Sequence, residues 1–222
     1  MITERTAIRM TDPTAARIRL AQWLSPAFPV GGYAYSHGME YAIGCGDIRS
    51  AEDFGVWLDG ILRFGSGWND AVLLGLCLRG GDAGRLGDLA CALCAGRERW
   101  QETRAQGRAF LRAANALDGR DSSDLPLPVA VGVKARALDL PVPEVLGLYL
   151  HAFAGNLVSI ATRAVPLGQT EAQQVLSSLV PLLAELAIGA AEAGEEDLAS
   201  AALRADLHAL CHETQDVRLF LT

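Results

Sequence analysis

Residues 98–117, ERWQETRAQGRAFLRAANAL, carry arginine and glutamate along one face of a helix and apolar side chains along another. Apolar residues recur at spacings of three and four through most of the chain, whereas alternating or β-branched runs long enough for strands are scarce. The sequence therefore predicts an all-α fold. One multi-helix domain over residues 1–222 is the simplest account of its length.

Prolines, glycines and capping residues divide the chain into helical segments. The turn-rich run DGRDSSDLPLP predicts a linker at about 118–127, and the ends at about 1–13 and 212–222 are expected to be flexible. The predicted helices are about Thr14–Leu24, Tyr33–Gly44, Ser50–Phe64, Asn69 or Asp70 to the break at Gly80, a helix opened by Asp82, Arg97–Leu117, Val129–Leu138, Pro143–Ala164, Thr170–Ala193 and Glu195–Cys211.

Charge and composition exclude several functional classes. The formal charge of −7 argues against a nucleic-acid partner, because phosphate binding requires clustered positive charge. No stretch approaches the roughly 20 apolar residues of a membrane helix, and the first residues lack the apolar core of a secretory signal. Five cysteines within apolar helical patterns fit a reducing compartment without disulfides. A cytoplasmic protein without nucleic-acid or membrane partners is expected.

Motifs for nucleotide binding and for dedicated metal sites are absent. The chain has no glycine-rich loop ending in Lys and Ser or Thr, so it is not itself expected to be a GTPase. It also has no His-Glu-x-x-His or Glu-x-x-His motif and no histidine-rich tail. No cofactor and no resident metal are predicted.

Cysteines offer weaker signals. Cys91 and Cys94 have the spacing of half a zinc site, but the remaining ligands are missing and both fit an apolar helix face. Cys45 lies between two glycines at a helix end, where a transient metal contact is conceivable, as it is at His37. Cys211 and His212 form the only adjacent Cys and His pair. These alternatives remain open at this point.

No catalytic constellation is assembled by the sequence. Ser36, His37 and Glu40 could suggest a nucleophile with a base, but adjacent helical residues do not face one another. A non-enzymatic interaction protein is therefore the better interpretation. The alternatives are a helical enzyme with dispersed catalytic residues and a DNA-binding regulator, for which a basic recognition helix is lacking.

Four motifs in order carry a family resemblance. Residues 20–43, LAQWLSPAFPVGGYAYSHGMEYAI, are followed by ERWQETRAQGRAFL, by NLVSIATRAVPLGQTEAQQVL at 156–176 and by HETQDVRLFLT at 212–222. Together they resemble the UreF family of urease accessory proteins from about Arg17 to the last residue.

The resemblance implies an all-α protein that is usually a homodimer. Its implied partners are a UreD scaffold, also called UreH, the GTPase UreG and apo-urease. UreF would bridge the scaffold and the GTPase and couple GTP hydrolysis to nickel delivery and metallocentre assembly, without performing hydrolysis itself.

The resemblance also points to partner-binding residues. Arg163 stands where many relatives have lysine, at a position tied to the GTPase surface, and guanidinium differs from ammonium in geometry. Arg218 and Phe220 are expected to anchor a tail that orders on partner binding. That tail has Asp216 and Val217 where the family often has tyrosine and serine, which puts a tyrosine contact in doubt. The full set of expected contacts is Tyr35, Glu40, Arg163, Gln169, His212, Arg218 and Phe220.

Overall fold

The structure is a computed structural model that describes residues 12–119, 124–165 and 167–222, and these are helical without strands. The prediction of an all-α fold is confirmed. Short 3₁₀ turns lie at Gly32–Ala34, Arg136–Leu138 and Glu195–Asp197. The α-helices are α1 Pro13–Leu24, α2 Met39–Gly44, α3 Ala51–Phe64, α4 Ser66–Leu78, α5 Ala83–Ala92, α6 Arg97–Asp118, α7 Leu127–Ala135, α8 Val142–Ala164, α9 Gln169–Ser178, α10 Val180–Glu192 and α11 Leu203–His212.

Helix starts that depend on local capping lie where the sequence predicts them. The Ser50 side chain accepts a hydrogen bond from the Asp53 amide at 3.1 Å and caps α3. Asp82 accepts from the Arg85 amide at 2.7 Å and caps α5. Both bonds satisfy backbone donors that have no partner within the helix.

The predicted helix Tyr33–Gly44 is wrong in its first half. His37 and Gly38 have φ of 55° and 79°, values that interrupt a right-handed helix. The segment therefore forms a 3₁₀ turn at Gly32–Ala34, and α2 begins only at Met39.

The predicted start of α4 at Asn69 or Asp70 is also wrong, because both residues lie inside a helix that begins at Ser66. Neither side chain acts as a cap. Asn69 accepts a hydrogen bond from the Ala199 amide at 3.1 Å, and Asp70 pairs with Arg99 at 2.8 Å. Tertiary contacts thus use the side chains that the sequence suggested for capping.

Two further predicted helices are divided. The segment Thr170–Ala193 is bent by 41° between α9 and α10, and Pro181 lies in the first turn of α10, where its missing N–H costs nothing. The segment Glu195–Cys211 begins as a 3₁₀ turn and becomes α-helical only at Leu203.

Helix α4 occupies the centre of the domain. It packs against α3, α5, α7, α8 and α10, and its run from Ala71 to Leu74 is at most 1% exposed. A helix that is apolar on all sides is expected to be buried in this way. Helix α6 lies very close to the residues that open α7, since a Cβ on Gly107 would lie 1.9 Å from the Leu125 carbonyl oxygen and 2.9 Å from the Leu127 backbone nitrogen.

Helix α8 is an exception to the expectation that no segment could span a membrane. Its length and composition would allow it to cross a membrane, but half of its most apolar 18-residue stretch is buried inside the protein. It packs against α4, α9 and α10, which is the position of a core helix in a helical domain.

Some predictions fall outside the described residues. Residues 1–11 of the expected flexible amino-terminal end, residues 120–123 of the linker and Pro166 lie there.

Candidate functional site

The tail segment, residues 213–222, lies against the turn that precedes α2. The Leu221 amide donates to the Ala34 carbonyl at 2.7 Å, and the Ser36 amide donates to the Thr222 carbonyl at 2.8 Å. Phe220 is only 8% exposed. The end expected to be flexible is thus a packed segment in this conformation.

A tail cluster of Glu40, Glu98, His212 and Arg218 holds this segment. His212 Nδ1 lies 2.7 Å from Glu98 Oε2, and its Nε2 lies 3.2 Å from Glu40 Oε2. Arg218 donates to Glu98 Oε1 at 2.6 Å. Glu40 also accepts from the amides of Leu219 at 2.7 Å and Phe220 at 3.0 Å. Two carboxylates therefore fix both a histidine and the backbone of the tail.

The close approach of α2 and α11 makes the tail cluster possible. Gly38 has φ of +79°, and a Cβ there would lie 2.4 Å from the Ala209 backbone nitrogen. Only glycine provides both the conformation and the space. The turn at Gly38 therefore lets Glu40, near the start of α2, reach His212 at the end of α11.

Beneath the tail cluster lies a core network of Asp70, Arg99, Glu102, His37 and Tyr149. Glu102 Oε1 is 2.9 Å from His37 Nε2 and 3.2 Å from Arg99. Asp70 Oδ2 accepts from Arg99 at 2.8 Å and from the Tyr149 hydroxyl at 2.9 Å. These charges are paired, as buried charges must be.

In this core network, attraction between opposite charges outweighs the desolvation cost of burying them. Burial opposes ionisation of Glu102, but His37 and Arg99 outweigh it and lower the pKa of the carboxyl group. Burial also opposes the charge on Arg99, yet Asp70 and Glu102 raise its pKa. Burial and then Asp70 raise the pKa of Tyr149, which keeps its hydroxyl as a donor. The other oxygen of Glu102, Oε2, has no hydrogen-bond partner within the described chain.

The core network lies between two cavities. One, of about 50 Å³, is lined by Glu98, Glu213 and Thr222 as well as by network residues. The other, of about 150 Å³, opens toward Trp23 and Asn156. Both share the side chains of His37, Asp70, Arg99 and Glu102. The smaller space has room for one or a few water molecules and is too small for a nucleotide.

All predicted contact residues except Gln169 converge on the tail segment. Tyr35 lines a surface cavity together with Arg218 and Phe220. Arg163 lies over the Phe220 ring at 5.4 Å and donates to the Tyr33 carbonyl at 3.0 Å. His212 meets Glu40, Arg218 pairs with Glu98, and the Phe220 ring is buried. Gln169 is exposed at the start of α9, and the adjacent turn is fixed by the Gly168 amide bonding to Glu171 at 3.0 Å.

The side chains of Ser36, His37 and Glu40 point to different partners and form no catalytic triad. The Ser36 hydroxyl donates to the Thr222 carbonyl, His37 faces Glu102, and Glu40 binds the tail. Cys94 bonds to the Ala90 carbonyl at 3.2 Å, and burial raises the pKa of its thiol to about 11. A thiol with that pKa is a weak nucleophile and a weak metal ligand near neutrality.

Sequence reasoning missed Glu98, Glu102, Asp70, Arg99 and Tyr149. Glu98, Glu102 and Gln106 follow one another at four-residue spacing on α6, which normally indicates a solvated stripe. In the structure all three are at most 5% exposed. The spacing could have revealed a shared face, but not that this face points inward.

Comparison with known proteins gives a consistent result over nearly the whole chain. The family model described as UreF matches residues 48–180. A relative in Cereibacter sphaeroides, named urease accessory protein UreF, is 55% identical over 209 residues, which cover 94% of this chain and 100% of the relative. Relatives with the same name in Dinoroseobacter shibae and Paracoccus denitrificans are 51% and 49% identical, each over 94% of this chain and over 99% and 97% of their own lengths.

Proposed function

This chain belongs to the UreF family of urease accessory proteins, and we propose that it acts as a non-enzymatic adaptor in urease maturation. In this proposal it bridges a UreD or UreH scaffold and the UreG GTPase on apo-urease. Through that bridge, GTP hydrolysis by UreG is coupled to nickel delivery and metallocentre assembly.

The observation that carries the proposal is the two-sided tail segment. Phe220 and Thr222 point inward, at 8% and 3% exposure. Val217, Leu219 and Leu221 alternate with them and are 76%, 78% and 61% exposed. Inward anchors fix the segment, while the outward side chains present apolar surface of the kind that partners cover. We define these three outward residues as the tail surface.

Helix α11 presents a second exposed apolar surface. Leu203, Leu207 and Leu210 follow helical spacing and are 71%, 60% and 43% exposed. An amphipathic helix normally turns such a stripe toward a core, so an outward stripe is typical of a helix that packs against another protein. We propose that the scaffold protein binds this surface.

Arg163 supports a second contact, with UreG. Its exposed guanidinium lies beside Phe220 at the carboxyl end of α8 and forms no ion pair with the described residues, so it borders the tail and stays available to a partner. A cation at this place suits a carboxylate on the GTPase. One end of the molecule would then contact both partners, as bridging requires.

Homodimer formation and a cytoplasmic location belong to the same proposal. Helices α8 and α10 pack on each other, and each exposes an apolar side chain, Leu148 at 40% and Ile188 at 59%. A second copy could cover such residues in a closed two-fold dimer. The net charge of −7 remains unfavourable for nucleic acid.

The test is light scattering after size-exclusion chromatography of this chain mixed with its cognate UreD and UreG. Intact protein is expected to join a complex, whereas deletion of residues 213–222 should abolish joining. Leu219→Asp should weaken it at least about tenfold, since burying an unpaired carboxylate is costly. Ile18→Asp is the matched control, because Ile18 is also 66% exposed and lies on α1, which takes no part in the proposed surfaces.

Two results would contradict the proposal. One is assembly of the Leu219→Asp variant as readily as the intact chain; the other is no binding of the intact chain to either partner. Turnover of a substrate by the purified chain alone would instead favour the alternative of a helical enzyme with dispersed catalytic residues.

A further inference from the structure

Three different metal-binding side chains lie close together, those of Cys45, Asp47 and His208. One ligand atom from each lies within 4.8 Å of the others. Cys45 is exposed at the end of α2, Asp47 follows in the next turn, and His208 belongs to α11. His208 Nε2 is 2.8 Å from Asp47 Oδ2, although 161 positions separate the two residues.

We propose that Cys45, Asp47 and His208 form a site for a divalent transition-metal ion such as Zn²⁺, Ni²⁺ or Co²⁺. A thiolate, an imidazole and a carboxylate form a mixed set of ligands that favours these borderline ions over Mg²⁺ or Ca²⁺. Three protein ligands leave a position for water, as in open metal sites. The inference does not depend on the adaptor function.

Small movements suffice to close the site. Ligands about 2.0 to 2.3 Å from a tetrahedral metal lie roughly 3.3 to 3.8 Å apart, less than the present limit of 4.8 Å. Cys45 is exposed and flanked by Gly44 and Gly46, where an added Cβ would meet nothing within 4 Å. The Cys45 side chain therefore has room to move, and its thiol proton passes to solvent as the sulfur–metal bond forms.

The other two ligands are already oriented. Arg204 Nε donates to Asp47 Oδ2 at 3.1 Å, and His208 Nε2 lies 2.8 Å from the same oxygen, so the carboxylate is held in place between two side chains of α11. The side chain of His208 is only 7% exposed, which fixes the ring. Its Nδ1 is buried without a hydrogen-bond partner in the described structure, so Nε2, which faces Asp47, is the ring atom available to a metal ion.

Arg204 is the competitor for Asp47. Its guanidinium lies 2.7 Å from Asp47 Oδ1, but the arginine side chain is 70% exposed and can move into solvent. Cys211 is the alternative thiol on the same helix, three residues after His208 on α11, and it is half-buried. These two residues provide variants that distinguish the proposed ligands from their neighbours.

Cobalt is the probe for the test, because Co²⁺ bound to a thiolate gives a charge-transfer band in the near ultraviolet. We expect Co²⁺ to produce this band with the intact chain. Zn²⁺ or Ni²⁺ should displace the bound Co²⁺ and abolish the band, whereas Mg²⁺ should leave the band unchanged. Since even outer-shell changes cost 10- to 100-fold in affinity, Cys45→Ser should lose the band and weaken Co²⁺ binding by at least about tenfold.

Control variants complete the test. Asp47→Asn should weaken Co²⁺ binding, Cys211→Ser should retain the band, and Arg204→Ala should tighten binding because a competing cation is gone. Circular dichroism establishes that each variant is folded. The proposal is overturned if the intact chain shows no thiolate band, or if the band survives in Cys45→Ser and disappears in Cys211→Ser.

Discussion

Glu102 illustrates how single side chains stabilise the interior. It is 1% exposed and meets both His37 and Arg99, so two donors compensate for the desolvation of one carboxylate. Arg99 is shared with Asp70, which in turn holds Tyr149. Loss of one member leaves the others buried with incomplete partners.

Glu102→Gln should therefore lower the free energy of unfolding by about 3 kcal/mol near neutral pH, as expected when a buried ion pair is broken. The pKa of Glu102 is lowered in the folded state from 4.5, so its stabilising effect is complete above pH 4.5 and is lost as the pH falls further. Urea unfolding of both proteins measures this difference at each pH. A difference that stays constant down to pH 3 would contradict the assigned role.

The pair α2 and α11 shows what an element contributes. These helices come from distant parts of the chain, and they bring Glu40 to His212 and place Asp47 beside His208. Their contact depends on the missing side chain at Gly38, because the α11 backbone occupies the space that a Cβ would need. The tail cluster and the proposed metal site thus share one structural requirement.

Gly38→Ala should destabilise the protein strongly. A left-handed conformation costs a non-glycine residue about 1–2 kcal/mol, and the clash with Ala209 should add about 1–3 kcal/mol. Gly46→Ala is the matched control, because Gly46 also has positive φ, at +82°, but an added Cβ meets nothing within 4 Å. Equal losses of stability in chemical unfolding of the two variants would argue against the close contact.

At the scale of the whole molecule, the tail segment closes the domain. It connects the turn before α2 with α6 and α11, and Thr222 helps to line the smaller internal cavity. Buried apolar residues from α1 through the tail form one core cluster, which includes Phe220. A single cooperative unfolding transition is expected for such a domain.

Phe220→Ala should lower the melting temperature without dividing the transition. Removing the buried ring should cost about 3 kcal/mol, or roughly 6–12 °C for a domain of this size. Scanning calorimetry measures both the shift and the number of transitions. Leu219→Ala, at a residue that is 78% exposed, should leave the melting temperature nearly unchanged, and an equal shift would show that the tail is not packed as described.

Local signals predicted much of the fold because their partners are near in sequence. Ser50 and Asp82 cap helices through residues three positions away, and the apolar spacing predicted α3, α6 and α8 closely. The predictions failed where side chains or backbone serve distant contacts, as for Asn69 and Asp70 in α4 and for the turn at His37 and Gly38. The family motifs selected most of the residues around the tail, but not Glu98, which meets both His212 and Arg218.

The partners were set by packing. Glu98 meets His212 across 114 positions, and Asp47 meets His208 across 161 positions. Periodicity specifies which residues share a helix face, but it does not specify which faces meet. That choice depends on how all the apolar faces are buried at once, and so the charged clusters emerge only when the helices are assembled.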